Sequence, residues 1–479
     1  MNWDLNLIKV FLESDKKRKE TAFMMYYFLM NDVENIRTYL ENYGKAGGMF
    51  SDNTMKMLPK THRDLTNKVL NNTCLAYNYG VDRYLVGKDD KIDEPATELL
   101  NELYDKAGID DTQDEWYRAG VLFNTVEVKT VWRKSTNQAE FDVWTPNFFT
   151  VWENPETKYL KDAIIFDVKH IDKNGNDIEA QEFWSKDQHF YFLQEGTFND
   201  GGVGKPKMVR SDLDGDNPEG KNPYGIIPST VLRFKRGEDY YGIGKLDLVE
   251  ENIWADLRRS NFVYVEIFQG NGIIYAVNFG ESDKMPLTPN KILTVNNVKG
   301  DDKEPFIDSI ATNALLSDIR ENLKDNETDL LVNQGLSGQT GSADNNNAPA
   351  LSKALDLEEL ELMRKKHKGI LENFELRNYE VFRTVHNKNS SRQLNPELKF
   401  ICNIYDPKPS WGISDLIAKR TFELEQGMTN PINLMIEDDP DLTLKEAEIE
   451  YEKNIKFRTE KTNNPETTDN TDTIDDPVE

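Results

Sequence analysis

The stretch that decides the fold runs from residue 242 to residue 268 and reads GIGKLDLVEENIWADLRRSNFVYVEIF. Leu246, Val249, Ile253 and Leu257 recur at the three- and four-residue spacing of a single helix face. This spacing predicts one long helix over the whole stretch. Such a helix packs its apolar stripe against a core and leaves the opposite face to solvent or to a partner.

Downstream of this helix, the sequence predicts a small β-rich insert and a returning helix. The insert covers residues 270–305, with apolar strands at 273–277 and 292–295, and the second helix covers 310–331. Residues 335–349 are rich in Gly, Ser, Asn and Ala, with one acid and no Lys or Arg. A composition of this kind does not form a packed core, so this stretch is predicted to be a polar loop.

The longest predicted helix follows that loop and spans residues 349–386. A strand at 398–404 and two acidic helices, 414–426 and 442–457, complete the part expected to be ordered. The last twenty residues carry seven acids and one Lys, and we predict that they are disordered.

Upstream, the chain changes from helix to strand. Residues 1 to about 120 show helical spacing, including 66–85 and 95–121. The residues that follow alternate apolar and polar side chains, as half-buried strands do. These patterns predict an α+β fold that is predominantly helical.

Within the strand region, one pair of strands is predicted together with its turn. Residues 163–171 and 182–193 form the pair, joined through Asn174-Gly175, a dipeptide that favours a tight hairpin turn. Residues 196–224 are rich in Gly, Asp, Asn and Pro and predict a long loop.

The composition excludes several classes of protein. The chain has 479 residues and a net charge of -27. Its two cysteines exclude a disulfide scaffold and a cysteine-based zinc cluster. No apolar run approaches the ~20 residues that a membrane helix requires. The negative charge disfavours a tight DNA-binding module, because such modules neutralise phosphates with Lys and Arg.

Two Gly-Lys pairs resemble part of a phosphate-binding loop, but neither completes it. Gly204-Lys205 and Gly244-Lys245 are not followed by Ser or Thr, and neither has a Gly five residues before its own Gly. A loop that wraps phosphates and holds magnesium requires all of these residues. We therefore do not expect ATPase activity.

An acidic run resembles the start of a calcium-binding loop. It consists of Asp212, Asp214 and Asp216, but Asn217 and Pro223 stand where such a loop requires Gly and a bidentate Glu. We interpret it as a flexible acidic loop that binds a divalent ion weakly at most. The five histidines show no metal-ligand spacing, and no nucleophile elbow occurs. We expect no metal site, no cofactor and no enzymatic activity.

A basic cluster lies within the longest predicted helix. Two interpretations of it remain open: a solvated face balanced by the acids one to two turns earlier, or a contact with DNA or a neighbouring subunit. The cluster consists of Arg364, Lys365, Lys366 and Lys368, and the acids are Glu358, Glu359 and Glu361.

Seven stretches occur in an order that is typical of one protein family. They are KKRKETAFMMYYFLMNDVENI (16–36), NKVLNNTCLAYNYGVDRYLVG (67–87), DEWYRAGVLFNTVEVKTVW (114–132), TPNFFTVWENPE (145–156), IPSTVLRFKRGEDYYGIGKLDLVEENIWADLRRSNFVYVE (227–266), NAPALSKALDLEELELMRKKHKGILENFE (347–375) and GMTNPINLMIEDDPDLTLKEAEIEYEKN (427–454). In this order they resemble the portal proteins of tailed bacteriophages over nearly the whole chain. One departure is Ala348-Pro349-Ala350-Leu351, where the family usually has Ser-Gly-x-Ala-Leu.

The resemblance implies a subunit of a twelve-membered ring with wing, stem, clip and crown parts. By position these are the wing (1–240), stem helix 1 (241–268), the clip (269–306), stem helix 2 (307–331), the tunnel loop (332–350), a long wing helix and strand (351–405), the crown (406–460) and a disordered acidic tail (461–479). Double-stranded DNA would be packaged and ejected through the ring at one capsid vertex of the virion, after assembly in the host cytoplasm.

The resemblance also implies partners and site residues. The partners are further copies of the chain, the passing DNA, the terminase large subunit, head-completion adaptor or tail proteins, and capsid and scaffold proteins, with no membrane. The implied residues are Ser342, Asp344, Asn345, Asn346 and Asn347 in the tunnel loop, Arg258, Arg259, Arg320 and Lys324 on the channel side of the stem, and Asp283, Lys284 and Lys291 on the clip.

The charge of the chain suits a channel through which DNA moves without sticking. Each Lys–phosphate contact strengthens binding, so a basic lining would slow the DNA. Twelve copies of a subunit at -27 would repel a polyanion and centre it. Two other classes remain open: a different virion structural protein, such as a capsid shell or tail component, and a metal-dependent nuclease.

Overall fold

A computed structural model describes residues 3, 5–46, 48, 50–154, 156–157, 160–171, 177–195, 207–211, 217, 219–271, 273–277, 293–295, 306–310, 316–336, 350–406, 413–438, 442 and 444–463. The chain folds into two compact units, one comprising residues 1–347 and 353–407 and the other 348–352 and 408–479. Helices form the larger part of the described chain, and the predicted mixture of helix and sheet is confirmed.

The first unit begins with helices and one strand. They are α1 (Leu5–Leu29), α2 (Val33–Ala46), α3 (Asp52–Met57), α4 (Leu65–Thr73), β1 (Val81–Val86), α5 (Glu94–Lys106) and α6 (Ile109–Phe123). Ser51, Asp64 and Asp93 cap three of the helices by accepting a hydrogen bond from a backbone N–H of the first turn. The helix predicted over 66–85 is wrong in its second half, because β1 pairs with residues 399–404 far along the chain.

Two antiparallel sheets follow α6, with strand orders β3-β2-β9 and β4-β5-β6-β7-β8. The strands are β2 (Thr125–Arg133), β3 (Gln138–Trp144), β4 (Phe149–Glu153), β5 (Lys161–Ile171), β6 (Asp177–Ser185), β7 (His189–Glu195), β8 (Lys207–Ser211) and β9 (Ser229–Arg233). The single strand predicted over 182–193 is wrong, because this segment holds the turn between β6 and β7. The long loop predicted over 196–224 is wrong where β8 pairs with β7. The intervening residues 172–176, with Asn174-Gly175, lie outside the described residues.

Strand β2 is buried on both faces. Val126 and Val128 belong to the main hydrophobic core, which α6 also lines. On the opposite face, Glu127 and Lys129 are buried and charged, and each has a partner on the five-stranded sheet. Lys161 Nζ lies 2.5 Å from Glu127 Oε2, and Lys129 pairs with Glu182. These buried ion pairs attach the two sheets to each other.

The rest of the first unit contains long helices and two small sheets. Its elements are α7 (Leu246–Asn271), β10 (Ile273–Val277), β11 (Leu293–Val295), β12 (Phe306–Ile310), α8 (Leu316–Asn333), α9 (Ala350–Asn389, apart from its first three residues) and β13 (Lys399–Ile404). Strands β11, β10 and β12 form one sheet, and β1 pairs with β13 in another. The helix predicted from residue 310 is wrong at its start. Ile310 belongs to β12, where it pairs with Ile273 of β10, and the helix begins at Leu316.

The basic cluster on α9 does not share one environment. Arg364 is buried, and its guanidinium donates to Asn72 O at 2.6 Å and to Tyr79 Oη at 3.1 Å. Lys365 and Lys366 are exposed. The interpretation of a uniformly solvated face is therefore wrong for Arg364, which holds α9 against the last turn of α4 and the residues that follow it.

The second unit contains three helices within its described residues: α10 (Ile413–Glu425), α11 (Pro431–Asp438) and α12 (Leu444–Asn463). The first and last confirm the two predicted acidic helices to within a few residues, apart from the later end of α12. The short helix α11 was not predicted. The predicted disordered tail from residue 461 is wrong for its first three residues, which belong to α12; residues 464–479 lie outside the described part of the chain.

Candidate functional site

Helices α7 and α8 lie side by side and run in opposite directions. Arg258 Nη1 donates to Asn326 Oδ1 at 2.6 Å, and Arg320 Nη2 lies 3.7 Å from Glu266 Oε1. Residues further along α7 therefore contact residues earlier in α8, as in any antiparallel pair of helices. In the chain, the sheet of β10, β11 and β12 lies between the two helices. The three elements form a continuous helix–sheet–helix segment of the first unit.

Arg259 is held by an ion pair within its own chain. Its guanidinium contacts the carboxylate of Glu327 on α8, and Arg63, which precedes α4, contacts the other oxygen of the same carboxylate. The Glu327 side chain is only 13% exposed. This shared carboxylate joins both long helices to the segment before α4.

The other three basic residues predicted on the stem are exposed. Arg320 is 73% exposed, and its guanidinium carbon lies 5.8 Å from the ring centroid of Phe262. Among the residues that the structure describes, Lys324 has no ion-pair partner. Exposed acids outnumber these bases on the two helices: Asp247, Glu266, Asp318, Glu321, Asp325 and Asp329.

A buried polar stripe on α7 fastens this helix to the start of α4. It consists of Asn252, Asp256 and Ser260, at a spacing of four residues. Asn252 Oδ1 accepts hydrogen bonds from Leu65 N at 3.1 Å and Thr66 N at 2.9 Å, two of the N–H groups that a helix start leaves unpaired. Ser260 Oγ accepts from Thr61 N at 2.9 Å. Our sequence reasoning missed these residues, although polar side chains at a helical spacing beside the apolar stripe were a signal.

The middle member of the stripe is a buried carboxylate. Asp256 Oδ1 accepts from Arg63 N at 2.9 Å, and its Oδ2 lies 2.6 Å from His62 Nδ1. Burial raises the pKa of Asp256, and the contact with His62 opposes this rise. The other ring nitrogen of His62 lies 3.1 Å from Asn31 Oδ1. The network fixes α7 against the N-terminal helices through directional contacts as well as apolar packing.

The Gly244-Lys245 pair anchors the start of α7. Lys245 N donates to Leu122 O at 2.7 Å, so the backbone at this point lies directly against the end of α6. The Lys245 ammonium donates to Gln334 Oε1 at 2.9 Å, just after the end of α8. Burial lowers the pKa of Lys245. Lys245 therefore links the start of α7 both to the end of α6 and to the residue that follows α8.

Replacing Gly244 with alanine is expected to lower the free energy of unfolding by about 1–3 kcal/mol, the usual cost of overfilling a packed site. A Cβ at this position would lie 2.4 Å from Leu122 O and 2.8 Å from Phe123 C, and backbone atoms do not move aside as a flexible side chain does. Chemical denaturation of the full chain measures the change.

Gly369→Ala is the matched control. Gly369 lies within α9, and a Cβ there meets nothing within 4 Å. This substitution is expected to stabilise the protein by about 0.5–1 kcal/mol, because glycine is unfavourable in a helix. Equal effects of the two substitutions would contradict the role assigned to Gly244.

Several predicted residues lie outside the described part of the chain. They are the tunnel-loop residues Ser342, Asp344, Asn345, Asn346 and Asn347, the clip residues Asp283, Lys284 and Lys291, the acidic-loop residues Asp212, Asp214 and Asp216, and the pair Gly204-Lys205. Their roles stay predictions.

The two cysteines are buried and unsuited to nucleophilic chemistry. Burial raises the pKa of Cys74 to about 12 and also raises that of Cys402. A reactive cysteine requires an accessible thiolate. In the part of the chain that the structure describes, no three His, Cys, Asp or Glu side chains are grouped to hold a metal ion.

None of the described helices is long and apolar enough to span a membrane.

No protein-family model matches the chain. No curated protein matches it either. Among solved structures, the chain is similar to a chain from the neck of an empty GTA particle computed with C6 symmetry, at 10% identity and a TM-score of 0.37, over 78% of this chain and 89% of that one. It is also similar to a chain from the virion of a native gene transfer agent (GTA) particle, at 11% identity and a TM-score of 0.33, over 77% of this chain and 91% of that one.

Proposed function

We propose that the chain is a portal subunit, a structural virion protein. Twelve copies would form a ring at one capsid vertex, and double-stranded DNA would be packaged and ejected through its channel. One observation carries the proposal. The antiparallel helices α7 and α8 are joined through the sheet of β10, β11 and β12 and are followed by residues 337–349 and the 40-residue helix α9. This is the order of elements in the portal proteins that the sequence resembles.

In this proposal, α7 and α8 are the stem and the sheet between them is the clip. The clip would dock the terminase large subunit during packaging and adaptor or tail proteins afterwards. The residues between α8 and α9, 334–349, would form the tunnel loop, and the second unit would form the crown. Capsid and scaffold proteins would contact the wing, which comprises the N-terminal helices and the two larger sheets.

The charges on the stem helices support a channel for DNA. Arg259 is occupied by Glu327, so it is not available for phosphates. The exposed bases Arg258, Arg320 and Lys324 are dispersed among more numerous exposed acids. Each Lys or Arg contact to a phosphate strengthens binding, and a mostly acidic wall therefore lets DNA slide.

Electron microscopy of the purified full chain, negatively stained and averaged into two-dimensional classes, tests the proposal. We expect closed rings with a central hole and about twelve lobes, since a head-to-tail contact whose rotation closes generates a cyclic assembly. Extended lattices or tubes would favour a shell or tail component instead. Magnesium-dependent cleavage of plasmid DNA by the same preparation would favour a nuclease.

A further inference from the structure

One face of the long helix α9 is exposed and has a glycine at its centre. Gly369 lies at the midpoint of this 40-residue helix, and a Cβ added there would meet nothing within 4 Å. Leu362 and Leu376 lie one heptad before and after it, and their side chains are 61% and 37% exposed. Residues one heptad apart lie on the same side of an α-helix. Leu362, Gly369 and Leu376 therefore form one outward stripe, which we call the α9 stripe.

Within the described residues, the fold of a single copy does not account for this glycine. Glycine weakens the interior of a helix relative to alanine, and it is favoured where φ is positive or where another backbone approaches closely. Gly369 belongs to α9 and does not have a positive φ. The space beside it is open. The stripe therefore fits a helix from outside the chain, whose backbone comes close at Gly369 and whose side chains pack beside the two leucines.

The charges beside the α9 stripe make it complementary to itself. Lys365 is exposed and makes no ion pair with any described residue. Glu372 accepts a hydrogen bond from Ile404 N at 3.1 Å, and it makes no ion pair with a described residue either. At about 100° per residue, Lys365 and Glu372 lie about 40° and about 60° from Gly369 around the helix, toward the same flank. That flank carries a base before the glycine and an acid after it.

Two antiparallel copies of the stripe match each other. In a crossing centred on Gly369, a residue before the glycine is level with the residue equally far after it in the partner. Leu362 then packs on the partner's Leu376. Lys365 lies within one residue, about 1.5 Å along the axis, of the level of the partner's Glu372 and on the same flank, so the two charges pair. A two-fold axis repeats both contacts, as in any isologous interface.

The opposite flank of the stripe is polar and is compatible with the same crossing. It carries Lys366 before the glycine and Asn373 after it, and both side chains are exposed. Asn373 Nδ2 donates to Gly369 O at 2.7 Å, so its Oδ1 stays available to accept from the partner's Lys366. The lysines of one copy thus face an acid and an amide of the other copy.

We propose that the α9 stripe is a docking surface for the same stripe of a second copy of this chain, packed antiparallel across a two-fold axis. Such a contact closes with two copies, whereas the proposed ring requires a head-to-tail contact. The pair is therefore a further association of the chain, and it does not depend on the proposed ring. Because few residues take part, the contact is weak, as small interfaces are.

Cysteine cross-linking tests the contact and its direction. Cys74 and Cys402 are buried, so an introduced surface thiol is the reactive one. Leu362→Cys and Leu376→Cys are made in separate full chains with different affinity tags, mixed, and oxidised with copper phenanthroline. Like positions lie about 21 Å apart along the antiparallel pair, so only unlike chains are joined. Leu362→Cys mixed with Lys388→Cys is the control, because Lys388 is exposed on α9 but lies beyond the crossing.

We expect the mixture to give about tenfold more covalent heterodimer than the control, since a disulfide requires Cα atoms within about 7 Å. Adding Gly369→Ala to both chains should lower this yield about threefold although alanine stabilises the helix, because its Cβ keeps the two backbones apart. General damage to the fold cannot produce this combination of a more stable chain and a weaker contact. Circular dichroism confirms that every variant is folded.

Three results would overturn the inference: heterodimer at the control level, equal cross-linking within each chain alone, or an unchanged yield with Gly369→Ala. Rings seen by electron microscopy would still support the proposed function in each of these cases. The reverse result, heterodimer from a chain that forms no rings, supports the inference and counts against the proposed function.

Discussion

Replacing Arg83 with methionine is expected to lower the free energy of unfolding by about 3–5 kcal/mol, the cost of leaving one partner of a buried ion pair alone. Arg83 on β1 is 7% exposed and Glu375 on α9 is 2% exposed. The guanidinium donates through Nε at 2.9 Å and Nη2 at 2.6 Å to the two oxygens of Glu375. Methionine fills the volume of the arginine stem but leaves the carboxylate without a cation. Urea denaturation of the full chain measures the loss.

Two further variants separate the ion pair from general damage to the core. In the double variant Arg83→Met with Glu375→Leu, both charges are removed, and much of the lost stability is expected to return, since apolar replacement of a whole buried pair is often nearly neutral. Lys88→Met breaks the pair with Glu397, whose side chains are 82% and 70% exposed, and should cost less than about 1 kcal/mol. If Arg83→Met costs no more than Lys88→Met, this account of Arg83 is wrong.

Features that depend on neighbouring residues could be predicted from the sequence, whereas contacts between distant segments, such as the Arg83–Glu375 pair, could not. The apolar stripe of α7 could be predicted because its residues are neighbours on one helix face. Val249, Ile253 and Leu257 are buried in the structure. Strand β1 was predicted as helix because its pairing with β13 and the Arg83–Glu375 contact join segments far apart in the chain. Local spacing carries no record of such a contact.

In the candidate site, too, the elements were predicted from local pattern, whereas the contacts that hold them together were not. The pair of long helices and the small insert between them were predicted from period and composition. The contacts that hold them in place were not predicted: Asn252 caps the start of α4, Asp256 accepts a hydrogen bond from the segment before it, and Gly244 is required by the backbone at Leu122. A polar side chain at a helix position has the same local pattern whether it faces solvent or caps another helix. Only the folded chain distinguishes these two cases.

A single histidine is expected to make the stability of the first unit depend on pH between about 6.5 and 4. His367 on α9 lies against Phe234 with ring centroids 4.7 Å apart, and its Nδ1 lies 3.0 Å from the Tyr117 hydroxyl. Burial, with the nearby cations Lys245 and Lys366, lowers the pKa of His367 to about 4. The unfolded chain binds a proton near pH 6.5, whereas the folded chain stays neutral until about pH 4.

The sign of the effect follows from this difference. Because the unfolded state holds more protons in the window, the free energy of unfolding falls as the pH falls from about 6.5 to 4, by about 3 kcal/mol in total. Glutamine at position 367 carries both a donor and an acceptor for the Tyr117 hydroxyl but does not titrate. Subtracting the pH profile of His367→Gln from that of the wild type cancels the carboxylates and the other histidines, so the remainder should decline only in this window. A flat difference would show that His367 is not buried as a neutral ring beside Lys245, where α7 begins.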